Sequence, residues 1–208
     1  MKLHQLLTLA LLPLFACAGA ASDEVAPCCA DEPAPAGMAT ADLPGTSLYL
    51  LDGDWTDQTG HARTLSSFHG EIVVAAMVFT HCQYACPMML QDLKDIESKI
   101  PESDLPKVRW LLLSMDSERD QPEVLADYAK RNHLDTERWT LLHGEDYPVR
   151  GIAAALGINY VKDVNGNFSH SNKITVLKAD GSIAYQLEGL NAANEPCVEA
   201  IMNEIAKD

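Results

Sequence analysis

The sequence predicts an α/β fold: a sandwich in which a central mixed sheet is flanked by helices. Three observations predict it. A continuous apolar run at residues 72–79 (IVVAAMVF) and a largely apolar stretch at 108–115 have the character of buried strands. Segments 87–100 and 121–132 follow them and carry apolar residues at helical spacing, as at Met89, Leu90, Leu93, Ile96 and Ile100. Near the end, residues 174–177 and 183–187 flank Ala179-Asp180-Gly181, a hairpin signal. Strands joined through helices and closed by an antiparallel hairpin make a mixed sheet with helical cover.

The N-terminus comes before any fold. Residues 1–14, MKLHQLLTLALLPL, place one Lys ahead of an apolar run. That run is shorter than the ~20 residues a membrane span requires. A charged start, a short apolar stretch and then small residues predict a secretory signal over residues 1–20 and an exported protein. Leu14-Phe15-Ala16-Cys17 fits a lipoprotein signal with Cys17 as the lipidated residue, and Ala18-Gly19-Ala20 offers ordinary cleavage instead. Residues 21–46 are rich in Ala, Pro and Gly, contain acids but no Lys or Arg, and predict a flexible acidic tether. One domain, residues 47–208, remains, large enough for its own core. The net charge of -15 excludes a nucleic-acid partner, because few basic groups could replace phosphate counterions. Contact with a membrane is expected only through the lipid.

Within the domain, residues 48–51, then Asp52-Gly53-Asp54 and Thr59-Gly60, predict a short hairpin leading to Leu65 and Phe68. The strand at 72–79 and the helix at 87–100 come next. A second buried strand covers 108–115, and the helix at 121–132 has Pro122 in its first turn. Residues 139–142 form a short strand, and 149–156 a helix stopped by Gly157. The C-terminal hairpin and a last helix over 194–206 complete the order. It is the plan of a thioredoxin-like sandwich.

The chemistry concentrates on two of the six cysteines. Cys82 and Cys86 fall in the turn between the first buried strand and its helix, where α/β sheets gather their sites. Pro87 favours the first helical position, which makes Cys86 the expected N-cap. Unpaired N–H groups and the helix dipole would then stabilise a thiolate there. Cys82-Gln83-Tyr84-Ala85-Cys86 has one residue more than the Cys-x-x-Cys loop of redox enzymes. Spacing alone leaves both metal binding and disulfide exchange open, since either loop closes a disulfide when the sulfurs meet. A purely structural bridge is disfavoured, because so short a loop constrains little chain.

Of seven histidines, only His170 stands just before a core strand, in Gly166-Asn167-Phe168-Ser169-His170-Ser171. In a thioredoxin-like sheet that strand lies beside the one ending near Cys82. Thioredoxins carry a cis-proline at this loop, but this chain has no proline between Pro148 and Pro196. Two thiolates with an imidazole suit copper better than calcium or magnesium. The other candidates have plainer roles: His81 packs or caps, Met88 and Met89 pack the helix, and Cys197 is a buried core cysteine. His61, His69, His133 and His143 form no constellation. Cys28-Cys29, adjacent in the tether, would close a disulfide only with strain.

These residues carry a resemblance to the SCO/SenC family of copper-delivery proteins for cytochrome oxidase assembly. It rests on Phe79-Thr80-His81-Cys82-x-x-x-Cys86-Pro87 and on Ser114-Met115-Asp116-Ser117-Glu118-Arg119-Asp120-x-Pro122-Glu123-Val124-Leu125. Tyr128-Ala129, Trp139-Thr140-Leu141-Leu142-x-Gly144 and the histidine before Ile174 extend it. The resemblance implies Cys82, Cys86 and His170 as ligands of one copper ion, Cu(I) or Cu(II), with Asp116 a motif residue near the site. It implies a periplasmic or membrane-tethered metallochaperone that serves the copper-site subunit of a terminal oxidase or a related cuproprotein. Two departures stand out: Gln83-Tyr84 where members have Pro-Asp, and Ser169 where they have an acidic residue. The rival expectations are a thiol-disulfide oxidoreductase that reduces the client's cysteines, with Cys82 and Cys86 as its reacting pair, and a redox or copper sensor.

Overall fold

A computed structural model describes residues 43–207. The expected signal, Cys17, Cys28, Cys29 and most of the tether therefore lie outside the described residues. Among the described residues, no helix is long and apolar enough to cross a membrane.

One seven-stranded mixed sheet carries the fold, in the order β2-β1-β5-β4-β3-β8-β9. β3 (Ile72–Val78) is buried along its whole length, as its unbroken apolar sequence requires. It pairs in parallel with β4 (Val108–Ser114), which pairs in parallel with β5 (Trp139–Gly144). On its other side β3 pairs antiparallel with β8 (Lys173–Leu177), with Ala76 opposite Ile174. β9 (Ile183–Glu188) closes the C-terminal hairpin. The start of β8 thus lies beside the end of β3, as the sequence predicts.

Helices α1 (Ala85–Ser98), α2 (Pro122–Arg131), α3 (Asp146–Ala155) and α4 (Glu195–Ile205) supply the cover. α1 buries Met89, Leu90, Leu93 and Ile96, while α4 buries Cys197, Ile201 and Ile205. Gly157, at φ 65°, ends α3 in a conformation that favours glycine. Trp110 and Trp139 stack at 5.3 Å across β4 and β5.

Four sequence expectations are corrected. Residues 48–50 form a 3₁₀ turn rather than a strand, because the Ser47 side chain accepts from the Tyr49 N–H and caps it. The hairpin sits later, between β1 (Trp55–Asp57) and β2 (Ala62–Arg63). α1 begins at Ala85 with Tyr84 as N-cap, so Cys86 is inside the first turn, and α3 begins at Asp146, ahead of Pro148. Finally, His170 is not in a loop: β6 (Tyr160–Lys162) and β7 (Phe168–His170) form a separate two-stranded hairpin, with Tyr160 opposite His170.

Candidate metal centre

The turn after β3 holds the cysteine pair. Its entry is fixed when the Cys82 N–H donates to the Phe79 carbonyl at 3.2 Å. The chain then turns into α1, and the Cys86 N–H, one of the unpaired donors of the first turn, donates to Cys82 Sγ at 3.3 Å. Both thiols are free. Cys82 is half-buried, whereas Cys86 has no exposed surface.

These surroundings separate the two thiols. Burial resists ionisation of Cys82, but backbone hydrogen bonds from Cys86 and Tyr84, and a side-chain bond with Cys86, outweigh it and hold the pKa below the usual thiol value. Burial drives the Cys86 thiol far up; a hydrogen bond with the Phe79 backbone opposes this only in part, and negative charge at Cys82 reinforces it. The helix terminus therefore favours a thiolate at Cys82, not at Cys86, because α1 starts earlier than the proline implies. Tyr128 closes the inner side: its phenol is pushed up first by burial and then by charge at Cys86 and Cys82.

His170 ends β7, half-buried, with its ring edge-on to Phe79 at 6.3 Å. Its Nδ1 lies 3.1 Å from the Ser171 carbonyl, and that contact requires the proton on Nδ1. Nε2 then carries the lone pair, yet it is buried without any partner. Burial lowers the pKa of the ring, so the neutral form is favoured. A neutral imidazole with an unpartnered, buried lone pair is the state that binds a soft or borderline metal. Asn172 Oδ1, two residues on, is likewise buried without a partner. Cys82, Cys86 and His170 are not drawn together within 4.8 Å as a trio. The trio that is so drawn, among the described residues, is His81, Asp116 and Asp120.

That second cluster supports the cysteine turn. Asp120, with no exposed surface, accepts from the Thr80 N–H at 2.9 Å and from the hydroxyls of Thr80 and Ser114, both at 2.6 Å. It ties the residues just ahead of Cys82 to the end of β4. Asp116, equally buried, receives Arg119. Both carboxylates are thus satisfied by protein donors. His81 is exposed, with Nδ1 3.2 Å from Thr80 Oγ1. His143 is buried against the Asp120 carbonyl at 3.1 Å, and Met89 and Cys197 lie in the core, with burial pushing the Cys197 thiol up to about 12. Residue patterns alone did not assign the Asp120 and Arg119 contacts. Their signal was the Ser-x-Asp-x-x-Arg-Asp string, a polar run directly after a buried strand.

A thioredoxin-fold domain with a dithiol turn after β3 and a histidine packed on Phe79 defines a class of thiol- or metal-handling proteins. The comparisons narrow it. A model of the SCO1/SenC family matches residues 49–206, and the chain belongs to that family. The mouse protein SCO2 homolog, mitochondrial, is 30% identical over 162 residues, covering 74% of this chain and 62% of that relative's length. The crystal structure of Arabidopsis thaliana ScoI with copper bound superposes with a TM-score of 0.65 at 21% identity, covering 75% of this chain and 97% of that one. BsSco, described as a member of the Sco family of cytochrome c oxidase assembly proteins with a disulfide switch, gives 0.65 at 22%, covering 77% and 95%. These two structures establish the shared thioredoxin-like fold.

Proposed function

We propose that the domain is a copper metallochaperone, which binds one copper ion through Cys82, Cys86 and His170 and passes it to a copper centre of a respiratory oxidase during assembly. The observation that carries this reading is the buried, unpartnered Nε2 of His170. An orphaned acceptor costs about 1–3 kcal/mol, so it marks a place where a missing partner belongs. Two sulfurs and one nitrogen form a donor set suited to copper, and the half-exposed Cys82 gives an incoming ligand a point of attack. Family membership and the copper bound by ScoI of Arabidopsis agree with it. In this reading the protein is exported and held on the periplasmic side of a membrane by a lipid on Cys17. Mass spectrometry of the mature N-terminus tests that last point, and a lipid-free Ala21 start refutes it.

The test of the copper site is His170→Ala. Copper(I) accepts two-coordinate sulfur and is expected to bind nearly as before. Copper(II) needs more ligands with nitrogen among them, and its coloured thiolate complex is expected to vanish. Normal copper(II) binding by the variant removes His170 from the site. Air-oxidised protein, with its thiolates consumed in a Cys82–Cys86 disulfide, is expected to take up little copper until reduced. Equal uptake by both forms would place the ligands elsewhere.

One observation favours a second reading, thiol-disulfide exchange: the pair is asymmetric, with an accessible Cys82 whose ionisation is favoured and a buried Cys86 whose ionisation is opposed. The Cys82 thiolate would attack a client disulfide, releasing one client thiolate and forming a mixed disulfide. Cys86, losing its proton, would then displace the second client sulfur and leave Cys82–Cys86 oxidised. His170→Ala separates the readings, since exchange needs no imidazole ligand.

A further inference from the structure

The hairpin that bears His170 is not hydrogen-bonded into the main sheet, so something else must fix it. Its own ends are stiff. The Ser171 N–H donates to the Asn159 carbonyl at 3.0 Å and the Asn159 N–H to Ser171 Oγ at 3.1 Å, closing the base. At the tip, Asp163 Oδ1 accepts from the N–H groups of Asn165 and Asn167, both at 2.8 Å. Between base and tip, Phe168 packs against Phe79 at 5.1 Å and Tyr160 at 5.9 Å. A body this rigid needs few attachments to be held in one orientation.

Arg119 supplies the polar attachment. Its Nε donates to Asp116 and its Nη2 to the carbonyl of Gly166 in the hairpin tip. Gly166 has φ 79°, and a Cβ there would lie 3.2 Å from Arg119 Nη1, so the tip is shaped to the guanidinium. On the flank, Lys162 Nζ pairs with Glu118 at 2.8 Å and approaches Asp116 at 3.9 Å. Asp116 in turn holds its backbone N–H on Ser114 Oγ at 3.0 Å, at the end of β4.

We infer that Arg119 is a positioning residue for His170: it bridges the buried Asp116 to Gly166 and thereby sets the hairpin, and the imidazole at its end, beside the cysteine turn. This rests on His170 being a copper ligand. Lysine keeps the charge at this position but lacks the planar fork that reaches two acceptors at once. A side chain that orients a metal ligand is worth about 10–100-fold in affinity.

Arg119→Lys is measured in two ways. In metal-free protein, amide exchange at Asp163 and Ser171 is expected to quicken by at least about threefold, with Val74 and Leu112 of the core sheet unchanged. In copper titrations, copper(II) affinity is expected to fall about tenfold with copper(I) affinity nearly unchanged. Unchanged exchange at Asp163 and Ser171, or an unchanged copper(II) affinity in Arg119→Lys, overturns the inference. If His170→Ala binds copper(II) like the unaltered protein, the ligand role itself fails, while the exchange measurement still decides whether Arg119 holds the hairpin.

Discussion

At Cys82 the hydrogen bond donated by the Cys86 N–H leads a set of bonds from the turn, with those of Tyr84 and the Cys86 side chain, that favour ionisation at the helix terminus. Alkylation reports it directly. Reduced protein treated with iodoacetamide is expected to react at Cys82 well before Cys86 or Cys197, by peptide mapping of the labelled chain. Because the Cys82 pKa is lowered, its thiolate persists as pH falls, and the rate profile of a Cys86→Ser variant is expected to have its midpoint below that of a free thiol. A midpoint above the free-thiol value would contradict the assignment. The sequence placed both cysteines correctly at the strand-to-helix turn. It assigned the thiolate to Cys86 as the expected N-cap, whereas the structure favours Cys82, since that turns on where α1 starts to within a residue or two, finer than side-chain patterns resolve. The unpartnered Nε2 of His170 was likewise invisible, being a property of packing rather than of residue type.

Prolines explain the errors among the elements. A proline is favoured at the first helical position but fits elsewhere in the first turn, whose N–H groups have no intrahelical partners. Pro87 and Pro148 are each the third residue of their helix, so helices read as beginning at or just after them start earlier. β3 and β4 were legible because they are long and rich in apolar residues, whereas β6 and β7 are three residues each with none fully buried, leaving no pattern to detect. The hairpin of β1 and β2 carries its own prediction. Burial alone would raise the Asp57 carboxyl pKa, but hydrogen bonds from Thr59, Arg63 and the His61 N–H lower it overall. A lowered folded-state pKa stabilises above the unfolded value near 3.8 and is lost as pH falls through that range. Asp57→Asn is therefore expected to cost about 1.5–3 kcal/mol at pH 7, with the difference shrinking towards pH 3, by urea unfolding of both proteins. A penalty independent of pH would mean that the charge plays no part.

Across the whole molecule, the candidate site joins two separately hydrogen-bonded pieces, the seven-stranded sheet with the cysteines and the small hairpin with the histidine. Because Asn159 and Ser171 already meet, replacing residues 160–170 by a short Gly-Ser turn is expected to leave a folded domain. Its melting temperature should drop by about 2–4 °C for each kcal/mol of lost packing, and copper(II) binding should be lost with it. Failure of that chain to fold would show the hairpin to be part of the core. The order in which the pieces come together during folding follows from the pairing of β3. Its partner β8 joins Ala76 to Ile174, contacts so distant along the chain that they form late, after the loop-closure entropy between them has been overcome. Cys82 and Cys86, by contrast, are neighbours in even the most unfolded chain. A nascent copy therefore meets its surroundings with a bare dithiol for as long as β8 is undocked, and in an oxidising compartment the first bond that pair can make is with itself.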